Sequence, residues 1–206
     1  MLNVFARVHT DRVTEPIARW LVARGVAPDA VTVLGTLGTV AAAVWFLPRG
    51  ELLAATAVIT FFVLLDLVDG AMARARGRST PFGAVLDSTG DRLADGALFA
   101  ALAWWALGAG EQRSVAVAAL VCLVAGQLVS YVKARAEGAG LSADGGLVER
   151  AERLIIALVG TGLEGLGVPH ALAVALWLLA AASVWTFGQR ILQVHRSAAA
   201  QEPGPR

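Results

Sequence analysis

Cysteine occurs once, as Cys122, so no internal disulfide can form. It lies in an apolar run and reads as a small core residue. Charge is scarce too: Asp, Glu, Lys and Arg make up 16% of the chain, and hydrophobic residues 57%. An ordinary soluble domain is about one quarter charged, so that class is excluded for a chain of 206 residues. Histidine is limited to His9, His170 and His195, which read as surface or interfacial residues. The first thirty residues scatter Arg7, Arg12, Arg19 and Arg24 among apolar residues, with no compact apolar run ending in small ones, so no cleavable signal is expected. No repeat, linker or second domain is visible. Residues 1–206 read as a single membrane domain, with 197–206 as a flexible tail. The net charge is +1, and no nucleic-acid partner is expected.

What the chain does have is long apolar stretches, over 30–47, 52–75, 83–107, 114–136, 148–165 and 169–194. Each is close to the about 20 residues that span a bilayer as a helix. The fold class read from this pattern is an all-α integral membrane protein with six transmembrane helices. Six spans place both termini on one side. Arg74, Arg76, Arg78, Lys133, Arg135, Arg150, Arg153, Arg190, Arg196 and Arg206 join the N-terminal arginines in one set of connections; the other holds Arg49 and Arg113. The positive-inside rule therefore puts both termini in the cytoplasm, in a multi-pass protein of the cell membrane. Trp45, Trp104 and Trp105 then fall at the opposite interface. Within 3–24, Ile17, Trp20 and Leu21 share a helical face while Arg12 and Arg19 project elsewhere, as in an amphipathic helix lying on the inner surface.

Four aspartates interrupt this apolar background: Asp66-x2-Asp69-Gly70-x2-Ala73-Arg74-x8-Gly83-x3-Asp87-x3-Asp91. Ionisable residues in membrane segments are costly and mark functional sites. At 100° per residue, Asp66 and Asp69 lie about 60° apart on one helix face, and Asp87 and Asp91 about 40° apart on the next helix. The basic loop between them is short, so the pairs can face each other at the cytoplasmic ends. Four converging carboxylates repel unless cations neutralise them. An all-oxygen donor set selects Mg²⁺, with Mn²⁺ as the alternative. Four could hold two ions about 4 Å apart, as in two-metal phosphoryl-transfer sites. No histidine lies nearby, which argues against zinc or iron. Gly70, Ala73 and Gly83 are small enough to allow close helix packing, or to let a flat nucleotide lie on the backbone. Arg74 can meet a phosphate or pair with Asp66 or Asp69. Arg92 and Asp95, at i and i+3, read as a structural pair.

The string from Asp66 to Asp91 resembles the signature of the CDP-alcohol phosphotransferases at every defined position. The six-helix layout extends the resemblance over nearly the whole chain. Two further segments, Ser130-Tyr131-Val132-Lys133-Ala134-Arg135-Ala136-Glu137 and Gly145 to Arg153, are similar to an actinobacterial branch, the phosphatidylinositol-phosphate synthases, as is Pro28-Asp29-Ala30-Val31-Thr32. The resemblance implies that CMP is displaced from CDP-diacylglycerol by an acceptor hydroxyl, with two divalent metals. Asp66 and Asp87 would touch both ions, Asp69 the first and Asp91 the second, and Asp91 would also take the acceptor's proton. Asp29, Ala30, Val31, Thr32, Gly70, Ala73, Arg74, Thr80 and Gly83 would hold the CDP-lipid. By position alone, Asp29 or Thr32 could instead cap a helix after Pro28, and Thr80 could be a turn residue before Pro81.

Ser130, Lys133, Arg135, Arg153 and Arg190 are the candidate residues for a phosphate on the acceptor, which favours inositol phosphate or glycerol 3-phosphate over serine. The branch resemblance selects inositol phosphate. The plain alternative is that these are topology charges that also attract anionic lipid headgroups. Membrane lipids and a second copy of the chain, as a homodimer, are the other expected partners. Two further classes fit the pattern less well. An ion transporter would need acidic residues strung across the membrane, and these cluster at one end. A prenyltransferase would carry an Asp-Asp-x-x-Asp string, which the sequence lacks.

Overall fold

Proline and glycine punctuate the apolar runs, and the helices stop where they fall. The computed structural model describes residues 14–75 and 80–201, and among these the regular structure is helical throughout. Helix α1 is described over 14–23. Then follow α2 (Pro28–Phe46), a short 3₁₀ turn (Leu47–Arg49), α3 (Leu52–Ala75), α4 (Pro81–Leu107), α5 (Arg113–Gly138), α6 (Arg150–Gly165) and α7 (Ala171–Gln201). Among the described residues, four stretches are long and apolar enough to cross a membrane: Pro28–Arg49, Leu52–Ala75, Arg113–Gly138 and Ala171–Gln201. Helix α4 has 27 residues, but Asp87, Asp91, Arg92 and Asp95 break its apolar run, and α6 has 16 residues. Length and composition therefore give four spans where the sequence pattern suggests six.

The chain packs as two units, Met1–Trp45 with Ala57–Leu98, and Phe46–Thr56 with Phe99–Arg206. In the first, α2 lies against α3 through glycine. A Cβ on Gly38 would fall 2.3 Å from the Phe62 ring, so only a hydrogen fits there. Gly35, one turn earlier, sits over the Asp66 backbone, 3.8 Å from its nitrogen to the same hypothetical Cβ. Thr32, Thr36 and Thr39 are buried on this helix, and Thr36 faces Gly90 of α4. Ala18 of α1 is buried with Val31, Val68, Ala71 and Met72, and Leu21 packs against that cluster. Ile17 and Trp20 point outward, and the Arg24 guanidinium stacks over the Trp20 ring at 3.9 Å. The apolar face expected over 3–24 is thus divided: Leu21 turns inward, Ile17 and Trp20 outward. Residues 3–13 of that stretch lie outside the described residues.

In the second unit α7 packs on α5 and α6. Glu164 at the end of α6 accepts hydrogen bonds from the Gln112 side chain before α5 and the Leu172 N–H of α7, each 3.1 Å. Trp105 is buried, 6% exposed, with its ring closing on Gly110. It is a core residue and not the interfacial aromatic that its neighbour Trp104, 61% exposed, resembles. Helix α7 runs on to Gln201, so 197–201 are helical where a flexible tail is expected from the sequence; Ala198, Ala199 and Ala200 are strong helix formers. The remaining 202–206 lie outside the described residues.

Candidate active site

Asp66 and Asp69 stand one turn apart on α3, and Asp87 lies in the second turn of α4. One carboxylate oxygen from each lies within 4.8 Å of the other two. At that separation each like-charge pair repels by on the order of 3 kcal/mol at an effective dielectric of about 20. The arrangement stores repulsion that a cation would relieve. Asp69 is buried, Asp66 half-buried and Asp87 exposed, so the group runs from the protein interior to an accessible edge. Three carboxylates with no nitrogen or sulfur donor fit a hard divalent ion.

Asp91, expected as the fourth ligand, lies outside this group. It is one further turn along α4, about 6 Å of axial rise from Asp87, and its Oδ2 is 3.8 Å from the Arg92 guanidinium. Arg92 also faces Asp95 at 3.6 Å, the structural pair that the i, i+3 spacing predicts.

The flanking residues assemble around the N-termini of α2 and α4. Thr80 is the N-cap of α4: the Gly83 N–H donates to its hydroxyl at 2.9 Å, and Pro81 takes the first helical position. A Cβ on Gly83 would lie 3.0 Å from the Thr80 hydroxyl and 3.2 Å from Asp29 Oδ1, so glycine lets the Asp29 carboxylate reach the start of α4. Negative charge is favoured at such a helix start. Neither Asp29 nor Thr32 caps α2, because Pro28 already opens it and Asp29 sits inside the first turn. Ala30 is exposed and Val31 buried in the packing with α1. The Thr32 hydroxyl donates to Asp69. Arg74, exposed in the last turn of α3, folds back toward Gly70, and Ala73 between them is half-buried.

The basic residues of the second unit differ in burial. Arg153 and Arg190 are buried, 2% and 4% exposed. Arg190 donates through Nη1 to the Val129 carbonyl at 2.7 Å and through Nε to the Gly145 carbonyl at 3.1 Å. Arg153 lies against Gly126, one turn before Ser130 on the same helix. Both guanidinium groups therefore meet α5 around Gly126–Ser130. Lys133 is half-buried, 3.8 Å from both Glu137 and Asp144, and Arg135 is exposed. Sequence reasoning missed Gly35, Gly38 and Gly90, which set the distances between helices. The Gly35-x2-Gly38 spacing was the available signal.

The family model described as CDP-alcohol phosphatidyltransferase matches residues 25–187. The phosphatidylinositol phosphate synthase of Mycobacterium marinum is 51% identical over 200 residues, covering 96% of this chain and 86% of that protein. Its counterpart from Mycobacterium tuberculosis is 50% identical over 199 residues, covering 95% and 92%. Two crystal structures of the M. tuberculosis synthase superpose on this chain with a TM-score of 0.87 at 50% identity. One has CDP-DAG bound and covers 95% of this chain and 100% of that one; the other, with manganese and citrate, covers 93% of each.

Proposed function

Since the chain belongs to the CDP-alcohol phosphatidyltransferase family, we propose that it transfers the phosphatidyl group of CDP-diacylglycerol to an inositol phosphate, giving phosphatidylinositol phosphate and CMP. The observation that carries this reading is the convergence of Asp66, Asp69 and Asp87 within 4.8 Å, on the residues of the signature string. Relatives that share about half of all positions over nearly their full length are phosphatidylinositol phosphate synthases, which supports the acceptor.

Asp66, Asp69 and Asp87, with Asp91, would hold two divalent cations, Mg²⁺ or Mn²⁺, which when bound offset charge on the donor's diphosphate and on the departing CMP. Asp91 orients the acceptor hydroxyl and takes its proton as the oxygen attacks the phosphorus linked to diacylglycerol. The P–O bond to CMP breaks as the new one forms. Asp29, Gly70, Arg74, Thr80 and Gly83 line the CDP part of the donor, where small residues admit a flat nucleotide and Arg74 meets a phosphate. Ser130, Lys133, Arg135, Arg153 and Arg190 bind the acceptor's phosphate.

We further propose that α4 and α6 also cross the membrane, giving six spans, that α1 lies at the inner membrane surface with Ile17 and Trp20 toward lipid, and that both termini and the active site are cytoplasmic. The one-sided distribution of arginine supports the orientation. The whole chain acts as one functional domain, and a homodimer is its working form. The experiment is CMP release from CDP-diacylglycerol by the detergent-purified protein, comparing inositol phosphate, inositol, glycerol 3-phosphate and serine. Only inositol phosphate should support rapid release. Preference for glycerol 3-phosphate would reassign the acceptor, and metal-dependent tracer flux into liposomes without CMP release would replace the enzyme by a transporter.

A further inference from the structure

The bond from the Thr32 hydroxyl to Asp69 Oδ2 joins α2 to α3 across 37 positions of sequence. Both residues are buried, 5% and 6% exposed, so solvent contributes little to fixing this carboxylate. Thr32 also lies 3.3 Å from the Pro28 carbonyl, one turn back on its own helix. A hydroxyl carries a single proton, so these two acceptors compete for it. When that proton goes to Asp69, the α2–α3 contact at Gly35 and Gly38 is what sets how far the threonine oxygen stands from α3.

A carboxylate placed beside two others tends to turn away from them. A donor on one of its oxygens opposes that rotation. Groups that hydrogen-bond to metal ligands in this way set the ligand's orientation, and losing one typically weakens metal binding by about 10- to 100-fold. Asp66 and Asp87 are half-buried and exposed, and water can reach them; Asp69 is the member of the cluster that needs an internal donor.

We propose that Thr32 is a positioning residue for the divalent cation site, acting by holding the Asp69 carboxylate in its orientation toward Asp66 and Asp87, rather than as a ligand of the donor nucleotide. The proposal rests on the reading of these aspartates as cation ligands, and the test separates the two.

The measurement is Mn²⁺ binding to the full-length protein in detergent, without donor lipid, by calorimetry or by the electron paramagnetic resonance of free Mn²⁺. Thr32→Val keeps the branched shape and removes the donor; Thr32→Ser keeps the donor and removes the methyl; Asp69→Asn removes the ligand charge. Thr32→Val should raise the Mn²⁺ dissociation constant roughly 10- to 100-fold, while Thr32→Ser stays close to the parent. Thr32→Ala, which lacks the same donor in a smaller residue, should weaken binding at least as much as Val and serves if the Val variant is not recovered. Melting temperatures taken without metal show whether the loss is specific to the ion. Parent-like Mn²⁺ affinity in Thr32→Val or Thr32→Ala overturns the positioning role, as does equal loss in Thr32→Ser. If Asp69→Asn binds Mn²⁺ as the parent does, or the parent binds none, the cation-site reading itself fails and the role of Thr32 falls with it.

Discussion

Gly38 meets the ring of Phe62 so closely that a single added carbon would lie 2.3 Å from it. The pair sets the approach of α2 to the helix that carries Asp66 and Asp69. Replacing Gly38 by Ala adds helix propensity worth about 1 kcal/mol, but overpacking a tight contact costs about 1–3 kcal/mol. The net expectation is a lower melting temperature in detergent. Because the atoms met belong to the Phe62 ring, Gly38→Ala should cost much less in a Phe62→Ala background than in the parent. A double-mutant cycle on melting temperature gives the coupling, and additive effects would show that the two residues do not limit each other.

Asp66→Asn and Asp87→Asn each remove one of three charges held within 4.8 Å. CMP release should fall by several orders of magnitude, and raising Mg²⁺ should restore little of it. The folded protein should still be obtained, since repulsion is relieved. Near-normal turnover in either variant would remove the two-metal reading.

Asp91 stands apart from the three-carboxylate group and near Arg92. This placement suits a proton acceptor better than a principal ligand. Asp91→Asn should therefore abolish transfer while CDP-diacylglycerol still binds in Mg²⁺, as calorimetry would show. A collapse of donor affinity as deep as in Asp66→Asn would make Asp91 chiefly a metal ligand.

The burial of Arg190 and the exposure of Arg135 divide the acceptor set. Lys133→Ala and Arg135→Ala should raise the acceptor KM by about 10- to 150-fold, the loss of one charge-assisted hydrogen bond of roughly 1.5–3 kcal/mol, with melting temperature and donor KM unchanged. Arg190→Ala should also lower the melting temperature, because the Val129 and Gly145 carbonyls lose their donor. Arg190→Lys should rescue only in part, since one ammonium cannot reproduce two bonds from a planar fork. Equal impairment with free inositol and with its phosphate would return the set to topology charges.

Much of this was legible in the sequence because it is local. The run 52–75 coincides with α3, and the other helices begin and end within a few residues of the apolar stretches, apart from the extension of α7 to Gln201. The facing of Asp69 and Asp87 followed from helical spacing and a short loop. What stayed hidden depends on partners far away in sequence. Nothing near Thr32 announces Asp69, and nothing near Trp105 distinguishes it from exposed Trp104. Nor can composition show that Arg190 also binds two backbone carbonyls, at Val129 and Gly145. The span count differs for a related reason: α4 carries its charges where a purely apolar run would be needed to identify a crossing from composition.

The end of α7 is also a clasp. The Ser197 hydroxyl accepts from the Ser142 N–H at 3.0 Å, and the Gln201 side chain donates to the Gly140 carbonyl at 2.9 Å, so the connection leading to α6 is fastened by the last residues of the final helix. A chain cut back to His195 would lose both of these bonds and leave the connection held only from its far end, where Arg190, Gln189 and Thr186 bind Gly145, Leu147 and Val148. Anyone shortening this protein or fusing a reporter to it should make the junction after Gln201.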